Sequence, residues 1–139
     1  MPEILSAAAA TLTDPVVWGV VIAAAIYGVA IGSMPGLTAT MGVALFVPVT
    51  FWLPPVPALA GIATMVACAI FAGDIPTTLL RIPGTPASAA YAAEAHELAR
   101  RGQAGRALGT ALLASITGGL FGAVVLMTLG SRLAGIAAW

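Results

Sequence analysis

A run of 59 residues without a charged side chain, lying between Asp14 and Asp74, constrains this chain most strongly. A second uncharged run of 25 residues separates Arg106 from Arg132. Crossing the hydrocarbon core of a bilayer as a helix takes about 20 apolar residues. With 60% hydrophobic and 7% charged residues, the chain also lacks the polar side chains that cover a water-soluble domain. We therefore predict an all-α integral membrane protein.

Composition also excludes several function classes. A net charge of zero gives no electrostatic basis for binding nucleic acid. One cysteine and one histidine exclude a disulfide framework and the usual zinc motifs. Intramembrane proteases need two facing acids or a base beside a nucleophile, whereas here the apolar segments hold one acid, Asp74, and His96 lies in a polar segment. We predict no enzyme activity, catalytic residue, metal site or cofactor, and a solvated His96.

The apolar pattern predicts about four transmembrane or re-entrant helices within a single membrane domain, 1–139. Asp14 suits an N-cap, with Pro15 at the first helical position. The second segment is short and contains Pro48, so a short span, a kinked span and a re-entrant segment all remain open. The predicted spans cover residues 15–34, 37–53, 58–80 and 107–129.

The remaining polar loop, 81–106, sets the orientation. Thr85-Pro86 is typical of a helix start, so we expect one loop helix from Pro86 to Arg101, lying on or outside the membrane. Arginines are enriched on the cytoplasmic side of membrane proteins. The three at the end of this loop predict that it is cytoplasmic, and the acidic N-terminal flank, with Glu3 and no base, predicts a periplasmic N-terminus.

Small residues at a spacing of four predict tight helix packing, because they let helix backbones approach closely in lipid. Gly28 and Gly32 form one such ridge, and Gly118 and Gly122 form another.

Two Pro-Gly interruptions, residues 32–38 and 81–88, break the apolar pattern. Unwound backbone at membrane depth is tolerated only where it is buried in protein or lines a wet cavity, and transporters bind substrates and ions at such breaks. Simple loops between helices are the alternative interpretation. If the breaks are functional, their hydroxyls are candidate ligands for substrate or ion: Ser33, Thr38, Thr40, Thr85 and Ser88.

Asp74 is a further candidate, because an intramembrane carboxylate usually has a functional role and a specific partner. Arg81, seven residues later, is the nearest basic residue and could form an ion pair with it. The alternative is a solvated carboxylate at a helix end.

At the interruptions the sequence resembles the large membrane subunit of tripartite tricarboxylate transporters, the TctA family of bacterial permeases. The resemblance rests on the order and spacing of five stretches: residues 32–37, 41–51, 82–88, 99–109 and 115–119. It covers only the first part of a longer permease with two repeats.

The resemblance implies a permease component for ion-coupled carboxylate uptake across the inner membrane. Its implied partners are a small membrane subunit, a periplasmic binding protein and the rest of the permease or another chain, with sodium or a proton as the coupling ion. It also implies that Pro35, Gly36, Pro83 and Gly84 lie near the substrate path. Family members typically carry Ser where this chain has Asp74. A non-transporting scaffold, an accessory subunit and an inactive truncated copy are the alternatives.

Overall fold

The computed structural model describes the backbone of residues 11–137 and the side chains of residues 11–130; Glu3 and the rest of the N-terminal flank lie outside this range. The described part is helical and contains no strand, which confirms the predicted all-α class. Its helices are α1 Pro15–Ser33, α2 Ala39–Thr50, α3 Pro55–Ala72, α4 Asp74–Leu80, α5 Pro86–Ala89, α6 Ala92–Arg100 and α7 Ala104–Ala137.

Three apolar segments are long enough to cross a membrane: Pro15–Ser33, Pro55–Leu80 and Ala104–Gly130. The first starts as predicted, with Asp14 Oδ1 accepting the amide of Val16 at 2.8 Å. The fourth apolar segment is the shorter helix α2. Helix α7 continues past the predicted end of its span at residue 129 as far as Ala137.

Helices α1 and α3 pack against each other and run in the same direction. Near their starts, Val17 and Pro57 line one cavity. Further along, a Cβ on Gly28 would overlap the backbone of Met65, and one on Gly32 would overlap the backbone of Ala69. Later residues of α1 therefore contact later residues of α3, which means that the two helices are parallel. The predicted Gly28 and Gly32 ridge lies at this interface, where the absence of side chains lets the two backbones touch.

Helix α2 runs in the opposite direction and lies against both. A Cβ on Gly42 would contact Ile31 near the end of α1. Phe46, one turn later, stacks on Tyr27 with ring centroids 5.8 Å apart and also faces Gly61. Later residues of α2 therefore contact earlier residues of α1, which means that the two helices are antiparallel. Helix α2 returns the chain to the end of the bundle at which α1 begins.

Helices α3 and α4 form almost one continuous rod. Gly73, between them, keeps helical angles of φ −63° and ψ −17°. Pro76 has no amide hydrogen, so the carbonyl of Ala72 loses its usual helical partner. Asp74 and Pro76 are both buried in the protein, which explains why this apolar segment tolerates them.

The loop predicted as a single helix from Pro86 to Arg101 is two helices, α5 and α6, so that prediction was wrong. The amide of Ala90 bonds back to Ala87 at 3.2 Å, which tightens the last turn of α5. Tyr91 then leaves the helical region, at φ −123° and ψ 14°. This break turns the Tyr91 side chain toward α4.

Helices α6 and α7 form an antiparallel hairpin around Gly102, whose φ is +75°. A cavity of about 560 Å³ lies between them, with Tyr91 and Glu94 on one wall and Thr110 and Ala114 on the other. Beyond Ala111, every residue of α7 as far as Leu129 is exposed in this chain.

The second predicted ridge lies in this exposed part of α7. No atom of the described chain lies within 4 Å of a Cβ built on Gly118 or Gly122, apart from their own helix backbone and chain neighbours. The packing predicted for these two glycines is therefore not made within the described part of this chain.

Candidate functional site

One glycine from each Pro-Gly interruption contacts the rod formed by α3 and α4, on successive turns. Gly32, at the end of α1, touches the backbone of Ala69. Gly84, in the second break, touches Gly73, where an added Cβ would come within 2.5 Å of the Gly73 carbonyl oxygen and 2.6 Å of its Cα. Ala69 and Gly73 are four residues apart and share one helix face, about 6 Å along the axis. The fold thus places Gly32 and Gly84, which are 52 residues apart in sequence, against the same rod.

The first break is a tight turn, and the hydroxyl groups of Ser33 and Thr38 form hydrogen bonds with the backbone of the adjoining helices. Ser33 Oγ donates to the carbonyl of Ala30 at 3.0 Å. Gly36 has φ +93°, a conformation that favours glycine. Thr38 Oγ1 accepts the amide of Met41 at 3.3 Å and caps α2. Thr40 and Pro35 are exposed.

The second break begins where Arg81 adopts the left-handed conformation, at φ 57° and ψ 28°. Its amide bonds to the carbonyl of Thr77 at 3.1 Å, and the amide of Ile82 bonds to that of Pro76 at 3.3 Å, which closes α4. Pro83 follows and is exposed. The backbone then reaches Gly84.

A capping box restarts the helix after the second break. Thr85 Oγ1 accepts the amide of Ser88 at 3.1 Å, and Ser88 Oγ accepts the amide of Thr85 at 3.0 Å. This confirms the helix start predicted at Thr85-Pro86. It also holds the Ser88 hydroxyl fully buried.

Thr77 connects the two sides of the second break. Its hydroxyl donates to the carbonyl of Gly73 at 2.7 Å, accepts the amide of Gly84 at 3.1 Å and lies 3.0 Å from Ser88 Oγ. Thr77 is fully buried, and every fully buried side-chain polar atom in the described residues has a hydrogen-bond partner. A buried network with all its bonds made is rigid, so the unwound backbone here is held in one conformation.

Asp74 is 5% exposed and accepts a hydrogen bond from the hydroxyl of Tyr91 at 2.5 Å. Burial raises the pKa of the Tyr91 phenol above its usual value, and the hydrogen bond and negative charge of Asp74 raise it further. Tyr91 therefore stays protonated and acts as a donor.

The predicted Asp74 and Arg81 ion pair is not formed. Within the described residues the one ion pair joins Arg101 to Glu97, at 3.0 Å on the surface. Arg81 is exposed instead, because its left-handed backbone turns the chain away at the end of α4.

His96, expected to be solvated, also contacts α4. Its Nδ1 lies 3.1 Å from the carbonyl of Thr78. A carbonyl oxygen only accepts, so Nδ1 carries the hydrogen. The amide of Ile82 donates to the carbonyl of Pro76 instead of that of Thr78, which leaves the Thr78 carbonyl available to His96.

Tyr91, Thr77 and His96 thus belong to the site although the sequence did not single them out as candidates. For Thr77 the sequence signal is a polar side chain within the apolar segment that also holds Asp74. Tyr91 and His96 lie in the polar loop, and no sequence signal links them to Asp74.

Comparison with known proteins assigns the family. A model of the "Tripartite tricarboxylate transporter TctA family" matches residues 19–139. This chain belongs to the TctA family. TctA is a family of transporters. Membership of this family and the long apolar helices together indicate that the chain is a multi-pass membrane protein.

A curated relative from Agrobacterium vitis is described as "Uncharacterized 52.8 kDa protein in TAR-I ttuC' 3'region". The two are 33% identical over 110 residues, which is 79% of this chain and 22% of the relative. The chain thus spans about a fifth of the length of that relative. No solved structure matched.

Proposed function

We propose that this TctA family chain is part of a permease that takes up carboxylates by coupling to an ion gradient, with the two Pro-Gly breaks beside the substrate path. The observation that carries the proposal is the contact of Gly32 and Gly84, one residue from each interruption, with the turn from Ala69 to Gly73. Backbone breaks held together within protein are where transporters place substrates, because freed amides and carbonyls are available there.

The family description supports tricarboxylates as the substrate class. A small membrane subunit and a periplasmic solute-binding protein would be the partners, in the bacterial inner membrane. The exposed stretch of α7 from residue 112 to residue 129 is the surface on which the rest of a longer permease, or another chain, would pack.

The packing directions support a topology with the 81–106 loop in the cytoplasm. Helices α1 and α3 are parallel, and α2, which connects them in sequence, is antiparallel to both. We therefore propose that residues 37–53 cross the membrane rather than re-enter. Helix α2 has 12 residues and covers about 18 Å, and the flanking turns supply the remaining length. The N-terminus would then be periplasmic.

The test is tricarboxylate uptake by the complete transporter carrying Gly84→Ala. The new methyl would collide with the backbone of Gly73, at a cost of about 1–3 kcal/mol if the contact is needed, which lowers uptake about fivefold or more. Gly105→Ala is the matched control, because nothing lies within 4 Å of a Cβ there.

Membrane levels of both variants are measured alongside, so that lost expression is not counted as lost transport. Wild-type uptake by Gly84→Ala at normal protein levels would contradict the placement of the substrate path. A wild-type complex that moves no carboxylate under any gradient would instead favour the scaffold alternative.

A further inference from the structure

The buried carboxylate of Asp74 lies in a spanning segment and has no cation beside it. It is 5% exposed within Pro55–Leu80, and the one ion pair among the described residues is elsewhere, between Arg101 and Glu97. An ionised carboxylate in such a place is costly and, where it persists, usually has a functional role. Its partner in the structure is a neutral hydroxyl, that of Tyr91.

Few titratable groups face Asp74 from the packed elements. Tyr91 bonds it directly, and His96 bonds Thr78 one turn further along α4. Glu94 lines the cavity beside Tyr91 and is exposed. Helix α5 has no titratable side chain, and the remaining titratable groups of the spanning helices packed nearby are Tyr27, Cys68 and the exposed Arg106.

The surrounding oxygens suit a proton better than a metal cation. Hard cations are bound by several oxygens at once. Here Thr77 Oγ1 already donates to the Gly73 carbonyl and lies 3.0 Å from Ser88 Oγ, and Tyr91 donates a hydrogen to Asp74 Oδ1. No group of three His, Cys, Asp or Glu in the described range could hold a metal ion. A proton needs only one carboxylate oxygen.

We propose that Asp74 carries the coupling proton of this permease and that Tyr91 is a positioning residue for its carboxylate; the proposal rests on the function proposed above. Asp74 directly follows Gly73, the residue that contacts the second break. A carboxylate substrate bound at the break would be repelled by an ionised Asp74, because like charges close together disfavour each other's ionisation.

Substrate binding and protonation of Asp74 therefore favour each other, and this linkage is reciprocal. The proton comes from water on the side with the higher proton concentration and binds an Asp74 carboxylate oxygen. It leaves to water on the other side after the substrate has dissociated. No bond other than that oxygen–hydrogen bond forms or breaks.

The experiment uses the complete transporter in sodium-free vesicles, with citrate as the probe and the membrane potential held at zero. A one-unit inward pH gradient coupled to one proton supports up to about tenfold accumulation. We expect wild type to accumulate citrate. Asp74→Asn should exchange internal for external citrate but not accumulate it, and Asp74→Glu should recover accumulation in part.

A second readout counts the protons that enter with each citrate. The number of protons entering per citrate, followed with a pH-sensitive dye inside the vesicles, should fall by one in Asp74→Asn and stay unchanged in Tyr91→Phe, with slower transport. If Asp74→Asn does not fold, a citrate-dependent entry of protons into wild-type vesicles supports the proposal and its absence overturns it.

Accumulation that needs sodium, or an Asp74→Asn variant that follows the pH gradient as wild type does, would also overturn it. In those two results carboxylate transport itself is intact, so only the role of Asp74 fails. Wild-type vesicles that neither accumulate nor exchange citrate would remove the proposed function, and this proposal with it.

Discussion

Replacement of Gly32 with alanine tests the closest helix contact in the structure. The added Cβ would lie 2.8 Å from both the carbonyl carbon and the Cα of Ala69. These are backbone atoms, so they cannot rotate away, and α1 must separate from α3. Overpacking of this kind costs about 1–3 kcal/mol.

Gly19→Ala is the matched control on the same helix, because nothing lies within 4 Å of a Cβ built there. Alanine is favoured over glycine inside a helix by about 1 kcal/mol, and this gain applies to both variants. Gly19→Ala should therefore leave stability unchanged or raise it. The free energy of unfolding of Gly32→Ala should be lower than that of Gly19→Ala by about 1–3 kcal/mol.

The assay is unfolding of the purified protein by increasing fractions of a denaturing detergent, followed by circular dichroism. Equal unfolding free energies for the two variants would refute the close contact between Gly32 and Ala69. So would a destabilised Gly19→Ala, since it would show that any added methyl on α1 disturbs the bundle.

Two further predictions concern the second break. Thr77→Val leaves the partly buried amide of Gly84 without its acceptor and should lower the unfolding free energy by about 1–3 kcal/mol. Thr77→Ser, which keeps the hydroxyl, should lose less, and an equal loss would show that the network is not the cause. The pKa of Tyr91 is higher in the folded protein than in the unfolded chain, where it is about 10. The protonated phenol therefore stabilises the fold fully below about pH 10, and this stabilisation is lost as the pH rises through the raised pKa. In a Tyr27→Phe protein, Tyr91 is the one remaining tyrosine, so the phenolate absorbance should appear above about pH 10. Adding Asp74→Asn should lower the midpoint pH of that absorbance change, and an unchanged midpoint would contradict the hydrogen bond.

Much of the helical layout follows from the sequence, because its causes are local. The N-cap at Asp14, the helix start at Thr85-Pro86 and the apolar lengths depend on neighbouring residues alone. The Gly28 and Gly32 spacing predicts close packing but not the partner, which the fold supplies as Met65 and Ala69.

The site was less predictable, because it depends on contacts between distant segments. Arg81 was the obvious partner for Asp74 by distance along the chain, yet its left-handed backbone leaves it exposed. The split between α5 and α6 instead presents Tyr91, 17 residues from Asp74. Sequence spacing within a helix predicts neighbours, whereas the geometry of a break becomes known only from the three-dimensional structure.

The central claim is that both breaks border one substrate path, and protection of single cysteines by substrate tests it most directly. In the complete transporter with Cys68→Ala, Met34→Cys and Ile82→Cys place thiols at exposed positions in the first and second breaks, and the exposed Ala93→Cys on α6 is the control. We predict that a tricarboxylate slows labelling by a small water-soluble thiol reagent at both breaks and leaves position 93 unchanged. Protection at neither break, or at only one, while the same preparation transports the substrate, would contradict the claim.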